Sequence, residues 1–283
     1  MRTAVLISIF ILLVYPAMIH ADDGQVDERT LTVLESTENA DRLDPGFEMV
    51  MEKVDNDLQY LLSAPFRLTP KGTAIAGITL VTTLVLLYND EGALSNISGK
   101  NDGFDDNTFR FFNDLGEYVI PITAGAYLVG YLFKDQRIKS STLMSLEAAA
   151  LTALFTGATQ LLLARDSPED GNGSDEFRPF SGFGSMPDMD TALTFSIASV
   201  MAYQRGVLAN IFWYGIATGV GLSQLYYESA WPSDVFLGAV FGTVIGRAVS
   251  YLSTNSLGDR ISLTPTIIYA SRPAYGMKIS YRF

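Results

Sequence analysis

Six apolar stretches of helical length follow one another along the chain, at about 72–88, 118–133, 143–164, 190–204, 206–227 and 234–253, and their order constrains the fold more than any other feature. Helices that are apolar on most of their faces must bury against each other or against lipid. The expected fold class is therefore all-α, a six-helix bundle, and no internal repeat interrupts it. The last stretch carries Gly238, Gly242 and Gly246 at four-residue steps, and the fifth carries Gly215 and Gly219. Small residues at that spacing let two helix backbones approach closely. With no cysteine in 283 residues, the core must hold without disulfides.

Composition leaves the surroundings of the bundle open. The chain is 48% hydrophobic and 18% charged, with a mean hydropathy of +0.21, less apolar than six membrane spans usually require. A net charge of −12 excludes nucleic acid as a natural partner and repels anionic surfaces and phosphate-bearing substrates at long range.

The ends of the chain differ from its middle. Residues 1–21 read as a secretory signal: Arg2, an apolar run from Ala4 to Val14, Pro16, and Ala21 before Asp22-Asp23. The run is short for a membrane span. As a signal it is expected to place the protein outside the cytoplasm, in the periplasm or the membrane of a cell envelope; the alternative is an uncleaved membrane anchor. His20, the single histidine, falls within that segment, so cleavage leaves a chain with neither histidine nor cysteine. Residues 22–45 form a polar, acidic lead-in. From residue 46 an amphipathic pattern (Phe47, Val50, Met51, Val54, Leu58, Leu61, Leu62) runs to Pro65 and predicts a helix packed on the body of the domain or lying on a bilayer surface. The helical domain spans 46–254. Residues 255–283 alternate in the manner of a β-hairpin, with Ser271 to Gly276 as its turn and Pro265 weakening its first strand.

Charge in the joints points two ways. Lys134, Arg137 and Lys139 follow the second apolar stretch, whereas the connections at 89–117, 165–188 and 228–234 are acidic. The positive-inside rule puts the acidic connections outside the cytoplasm. A cleaved signal starts the mature chain outside and inverts that assignment.

Three segments carry a resemblance to a known family. They are Gln160-Leu161-Leu162-Leu163-Ala164-Arg165-Asp166-Ser167-Pro168, then Ser185-Met186-Pro187-Asp188-Met189-Asp190-Thr191, and Gln224 through Ala230-Trp231-Pro232-Ser233-Asp234. Together they resemble the three motifs of the type 2 phosphatidic acid phosphatase and haloperoxidase superfamily over about residues 60–253. The family pattern is lysine, six residues, arginine-proline; serine-glycine-histidine; then arginine, five residues, histidine, three residues, aspartate. Here Gln160 stands at the lysine and Ser167 at the first arginine. Asp188-Met189-Asp190 replace serine-glycine-histidine, Gln224 replaces the second arginine, and Ala230 stands at the nucleophilic histidine. Pro168, Pro187 and Asp234 remain.

The resemblance implies a six-helix phosphatase-like bundle in which these eight positions, Gln160, Ser167, Asp188, Met189, Asp190, Gln224, Ala230 and Asp234, share one pocket. It also implies a lost activity. The family's chemistry needs one imidazole to attack phosphorus, another to protonate the leaving oxygen, and cations to hold the phosphoryl oxygens. With no catalytic residue left, the chain is expected to be a noncatalytic structural or binding component of the envelope, associated with a membrane and partnered by a protein or a lipid. The alternative is a lipid- or pyrophosphate-directed phosphatase with a rebuilt carboxylate or metal-dependent site.

No cofactor is required by the first reading. Under the second, Asp188 and Asp190 offer oxygen ligands to Ca²⁺ or Mg²⁺. Set against the metal is a structural account, in which Asp190 caps the helix beginning at Thr191 and Asp234 caps the last helix after Pro232-Ser233. Arg165 and Arg178 are the bases left near the pocket and are expected to pair with local acids.

Overall fold

In the computed structural model of the protein, the described residues are 55, 57–62, 70–98, 106–203, 205–255, 261–269 and 273–281. Besides a short helical piece at 57–62, seven α-helices lie among them: α1 (Pro70–Ile97), α2 (Asp106–Glu117), α3 (Val119–Leu132), α4 (Gln136–Leu163), α5 (Met189–Ala202), α6 (Val207–Tyr226) and α7 (Pro232–Asn255). Six of them coincide with the apolar stretches, and the protein is an all-α bundle. α2 is a correction to the sequence reading, which took 89–117 as a connection. Its apolar stripe is narrow but finds a partner in α6: Phe109 stacks on Tyr226 at 4.3 Å between ring centroids, and Phe112 lies over Gly219, where a Cβ would not fit.

Local signals set the helix limits. α4 begins about two turns before its apolar run because Asp135 caps it, accepting from Arg137 N at 2.8 Å and Ile138 N at 3.2 Å. α7 begins at Pro232, whose missing N–H costs nothing in a first turn. Buried hydroxyls inside the bundle bond back to their own helix, as Thr83 does to Thr79 O, Thr152 to Ala148 O and Ser250 to Gly246 O. These hydroxyls are satisfied within their own helix, whereas the buried hydroxyls of Thr156, Thr191 and Ser196 have no partner among the described residues.

α5 is the central helix, buried along most of its length. α7 lies parallel to it at backbone contact: Gly238 faces the carbonyl of Asp188, Gly242 that of Ala192, and Gly246 that of Ser196. Four-residue steps on both helices keep the register, and the close approach expected of this glycine series is present. In the other pair Gly219 meets Phe112, while Gly215 has nothing within 4 Å of a built Cβ.

Residues 1–54 lie outside the described residues, and with them the signal segment, the lead-in and most of the amphipathic stretch. The last part of that stretch, 57–62, is helical. Its Leu61 is buried among Ala148, Leu151, Val200, Val244, Ile245, Ala248 and Val249, so this part packs on the body of the domain. At the other terminus β1 (Ile261–Tyr269) pairs antiparallel with β2 (Pro273–Tyr281), Ile261 opposite Tyr281 and Tyr269 opposite Pro273. Pro273 to Gly276 belong to β2, not to the expected turn. Pro265 sits opposite Met277 within an unbroken strand, which a two-stranded sheet allows because each strand has a free edge.

Among the described residues, three helices are long and apolar enough to cross a membrane: α1 from Gly72, α4, and α7 as far as Thr254. α1 turns Ile78, Val81, Val85 and Tyr88 outward, spaced at three and four residues. That is a continuous apolar stripe with no protein partner among the described residues.

Candidate functional site

α1, the end of α4 and the start of α7 converge at one end of the bundle on a single guanidinium. α4 ends at Ala164, a non-glycine residue in the left-handed conformation at φ 41°, and this turns the chain back so that Arg165 enters the bundle. The returning segment is held against it by Arg178 N to Ala164 O at 3.0 Å and Ser185 N to Arg165 O at 2.8 Å. Gly184 lies so close to the Ala164–Arg165 backbone that no side chain fits there.

The Arg165 side chain is fully buried between two fully buried carboxylates, Asp90 on α1 at 2.7 Å and Asp234 on α7 at 2.5 Å. Nη1 also donates to Ser233 Oγ at 2.8 Å, and Nε to Ser174 O at 2.9 Å. The rings of Phe177 and Trp231 close over the guanidinium, with centroids 5.4 and 5.5 Å away. The carboxylates have further donors. Asp90 accepts from Ser233 N at 2.9 Å and Ser233 Oγ at 2.6 Å, and Asp234 accepts from Ser185 Oγ at 2.6 Å. Each charge in this cluster therefore meets an opposite charge and further hydrogen-bonding groups, which is what burial of ions demands.

Most of the positions singled out in the sequence lie around this cluster. Gln160 donates through Nε2 to Pro187 O at 2.8 Å. Asp188 N bonds Asp234 O at 3.0 Å, which ties the starts of α5 and α7 together. Gln224 Nε2 lies 3.4 Å from both Asp190 Oδ2 and Asn113 Oδ1, and its carbonyl accepts from Ala230 N at 3.4 Å. Ala230 is 1% exposed. Met189 reaches toward Gly157 on α4. Ser167 is held elsewhere, bonding Asp170 at 2.9 Å to close the short 3-10 turn Pro168–Asp170.

Two capping expectations are corrected. The cap of α5 is Asp188, which accepts from Thr191 N at 2.8 Å, and Asp190 falls in the first turn. Asp234 is engaged by Arg165 rather than by the backbone of α7. The two aspartates considered as metal ligands thus send their carboxylates to different partners, Asp188 to the helix start and Asp190 toward Gln224. No group of three or more histidine, cysteine or acidic side chains placed to hold a metal occurs among the described residues. Both arginines pair with acids as expected, Arg178 with Asp166 at 3.0 Å on the surface. Asp90, Ser174, Ser185 and Ser233 were not legible as site residues. The signal available for Asp90 was an acid next to an apolar helical run, where an ion needs a buried partner.

Burial pushes the Asp188 carboxyl up to about 7, the neighbouring Asp190 and Asp234 add to the rise, and the Thr191 hydrogen bonds oppose it. The folded state thus favours the protonated acid, whose ordinary pKa is about 3.9. Its contribution to stability is full below pH 4 and is lost as pH rises toward 7, at up to about 1.4 kcal/mol per pH unit. Thermal melts between pH 4.5 and 8 should show this decline in the wild type and a flatter profile in Asp188→Asn. Parallel profiles would show that Asp188 is not the group responsible.

Beside Gln224 a polar cleft of about 350 Å³ opens to the surface, lined by Asp106, Arg110, Asn113, Asp114, Tyr227 and Ser229. The site as a whole can hold helices together and present polar groups at one end of the bundle. Among the described residues it holds no imidazole; its buried base, Arg165, is held by Asp90 and Asp234, and Arg110 lines the open cleft.

The fold and the site define a helical bundle whose functional end is closed by an internal ion cluster. No protein-family profile matches the chain, and no curated protein matches it. Among solved structures, the chain is similar to the crystal structure of Aquifex aeolicus LpxE, at 20% identity and a TM-score of 0.42 over 56% of this chain and 93% of that one.

Proposed function

We propose that the protein is a noncatalytic, phosphatase-like component of the cell envelope, a degenerate relation of the type 2 phosphatidic acid phosphatases that serves a structural or binding role at a membrane. One observation carries this reading. Where the sequence resemblance puts a nucleophilic histidine stands the buried Ala230, and the polar centre beside it is filled by Arg165 locked between Asp90 and Asp234.

A rebuilt carboxylate site is the competing reading. It is favoured by Asp188, whose carboxyl is held near neutrality as a general acid requires. A hydrolysis assay separates the two. Purified protein should show no turnover above background on phosphatidate, isoprenyl pyrophosphate or nitrophenyl phosphate, with or without Ca²⁺ and Mg²⁺. Hydrolysis that disappears on immunodepletion would overturn the noncatalytic reading, and its loss in Asp188→Asn would point to the rebuilt site.

A further inference from the structure

Between α4 and α5 the chain runs back along the helix it has just left. Phe180 N donates to Leu161 O at 3.0 Å, and Gly184 N to Gln160 O at 3.3 Å. The Phe183 ring lies over Gly157, 3.6 Å from where a Cβ would stand. The returning segment thus lies beside about the last two turns of α4. It leaves two rings outside, Phe180 at 69% and Phe183 at 76% exposure. Phe180 has φ 64°, a left-handed conformation that bulky residues seldom adopt. Strained backbone of this kind tends to mark segments held in place for a use.

The surroundings of the two rings change sharply along the helix axis. Leu154, Gly157 and Leu161 share one face of α4, so Phe183 fills the gap between two exposed leucines. That face belongs to a helix long and apolar enough to cross a membrane. Earlier in the same loop stand the exposed Asp175 and Glu176 and the half-exposed Arg178, which pairs with Asp166 at 3.0 Å. On α1 the apolar stripe ends the same way. Tyr88 is 91% exposed and lies two residues before Asp90, the partner of Arg165. Aromatic rings at the level where apolar helix faces give way to charge match the boundary between acyl chains and headgroups. A protein partner docked on one face would not require that level to coincide on two separate helices.

We propose that Phe180 and Phe183 are a lipid anchor: the loop between α4 and α5 seats both rings at the boundary of acyl chains and headgroups and holds the Arg165 end of the bundle level with the headgroups. This rests on the reading that the protein works at a membrane. The anchor fixes depth alone and serves with the bundle facing either way. Its contact is apolar, so it requires no particular headgroup charge.

Tryptophan fluorescence tests it. Phe180→Trp, Phe183→Trp, Val81→Trp and Asp175→Trp are made in a Trp213→Phe background, where Trp231 stays buried. Each protein is reconstituted in phosphatidylcholine vesicles carrying bromine on either the upper or the lower part of the acyl chains. For Phe180→Trp and Phe183→Trp, upper-chain bromine should quench the added emission at least about twofold more than lower-chain bromine. Val81→Trp, on the stripe of α1, should be quenched most by lower-chain bromine, and Asp175→Trp by neither. If Val81→Trp is quenched while the two loop variants are not, the anchor is overturned and the membrane reading stands. Blue-shifted but unquenched emission from the loop variants would mean that protein covers the rings, and it overturns the anchor too. Stronger quenching of the loop variants by lower-chain bromine would overturn their place at the boundary. If no variant is quenched, the membrane reading falls and takes the anchor with it.

Discussion

Replacing Arg165 with alanine is expected to destabilise the bundle by about 3–5 kcal/mol, the range seen when one partner is removed from a buried ion cluster. For a domain of this size that lowers the melting temperature by about 6–20 °C. The loss arises chiefly from what stays behind: the fully buried Asp90 and Asp234 keep their serine donors but lose the positive charge they share. Two phenyl-type contacts, from Phe177 and Trp231, are emptied at the same time. A cluster of this kind can be replaced as a unit at much lower cost than it can be broken. Arg165→Met combined with Asp90→Asn and Asp234→Asn should therefore recover a large part of the lost stability. Thermal melts of the wild type, Arg165→Ala and the triple variant in one detergent decide the matter. An Arg165→Ala protein melting within about 2 °C of the wild type would mean that the cluster is not what holds this end closed.

Gly242→Leu is the second large effect. A Cβ at this position would fall within contact distance of the Ala192 carbonyl, Ser196 N and Phe195 Cβ, and backbone atoms cannot move aside as a flexible side chain does. The cost should reach about 3 kcal/mol, the upper end for overpacking, because α5 and α7 must separate along their whole contact. Gly215→Ala supplies the contrast. With nothing near its Cβ, that substitution should be neutral or add up to about 1 kcal/mol through helix propensity. If both glycine variants melted like the wild type, α7 would not be held to α5 by backbone approach.

Much of the helical order was legible because its causes are local. Apolar residues recurring at helical spacing, a proline at residue 232 and aspartates at helix starts act within a turn or two of chain, and they can be seen in any window that contains them. α2 escaped notice because its stripe of Phe109, Phe112 and Leu115 lies among polar residues and draws its support from α6, more than 100 positions away, as the 111-residue separation of Asn113 and Gln224 illustrates. The capping of α5 was misplaced by two residues, since two aspartates in a row of three positions offer the same local signal and packing against α7 selects the first.

The amino-acid sequence by itself determined that this chain is a succession of apolar helices and that no imidazole stands at Ala230, because residue identity and periodicity need no partner to be read. The tertiary structure alone decided where Arg165 goes and which charges share an end. Its two carboxylate partners lie 75 and 69 residues away, and no spacing rule links positions that far apart. Only the folded helices, by bringing three distant charges into one dry site, make their pairing a requirement: an ion without its counter-ion there would cost several kcal/mol.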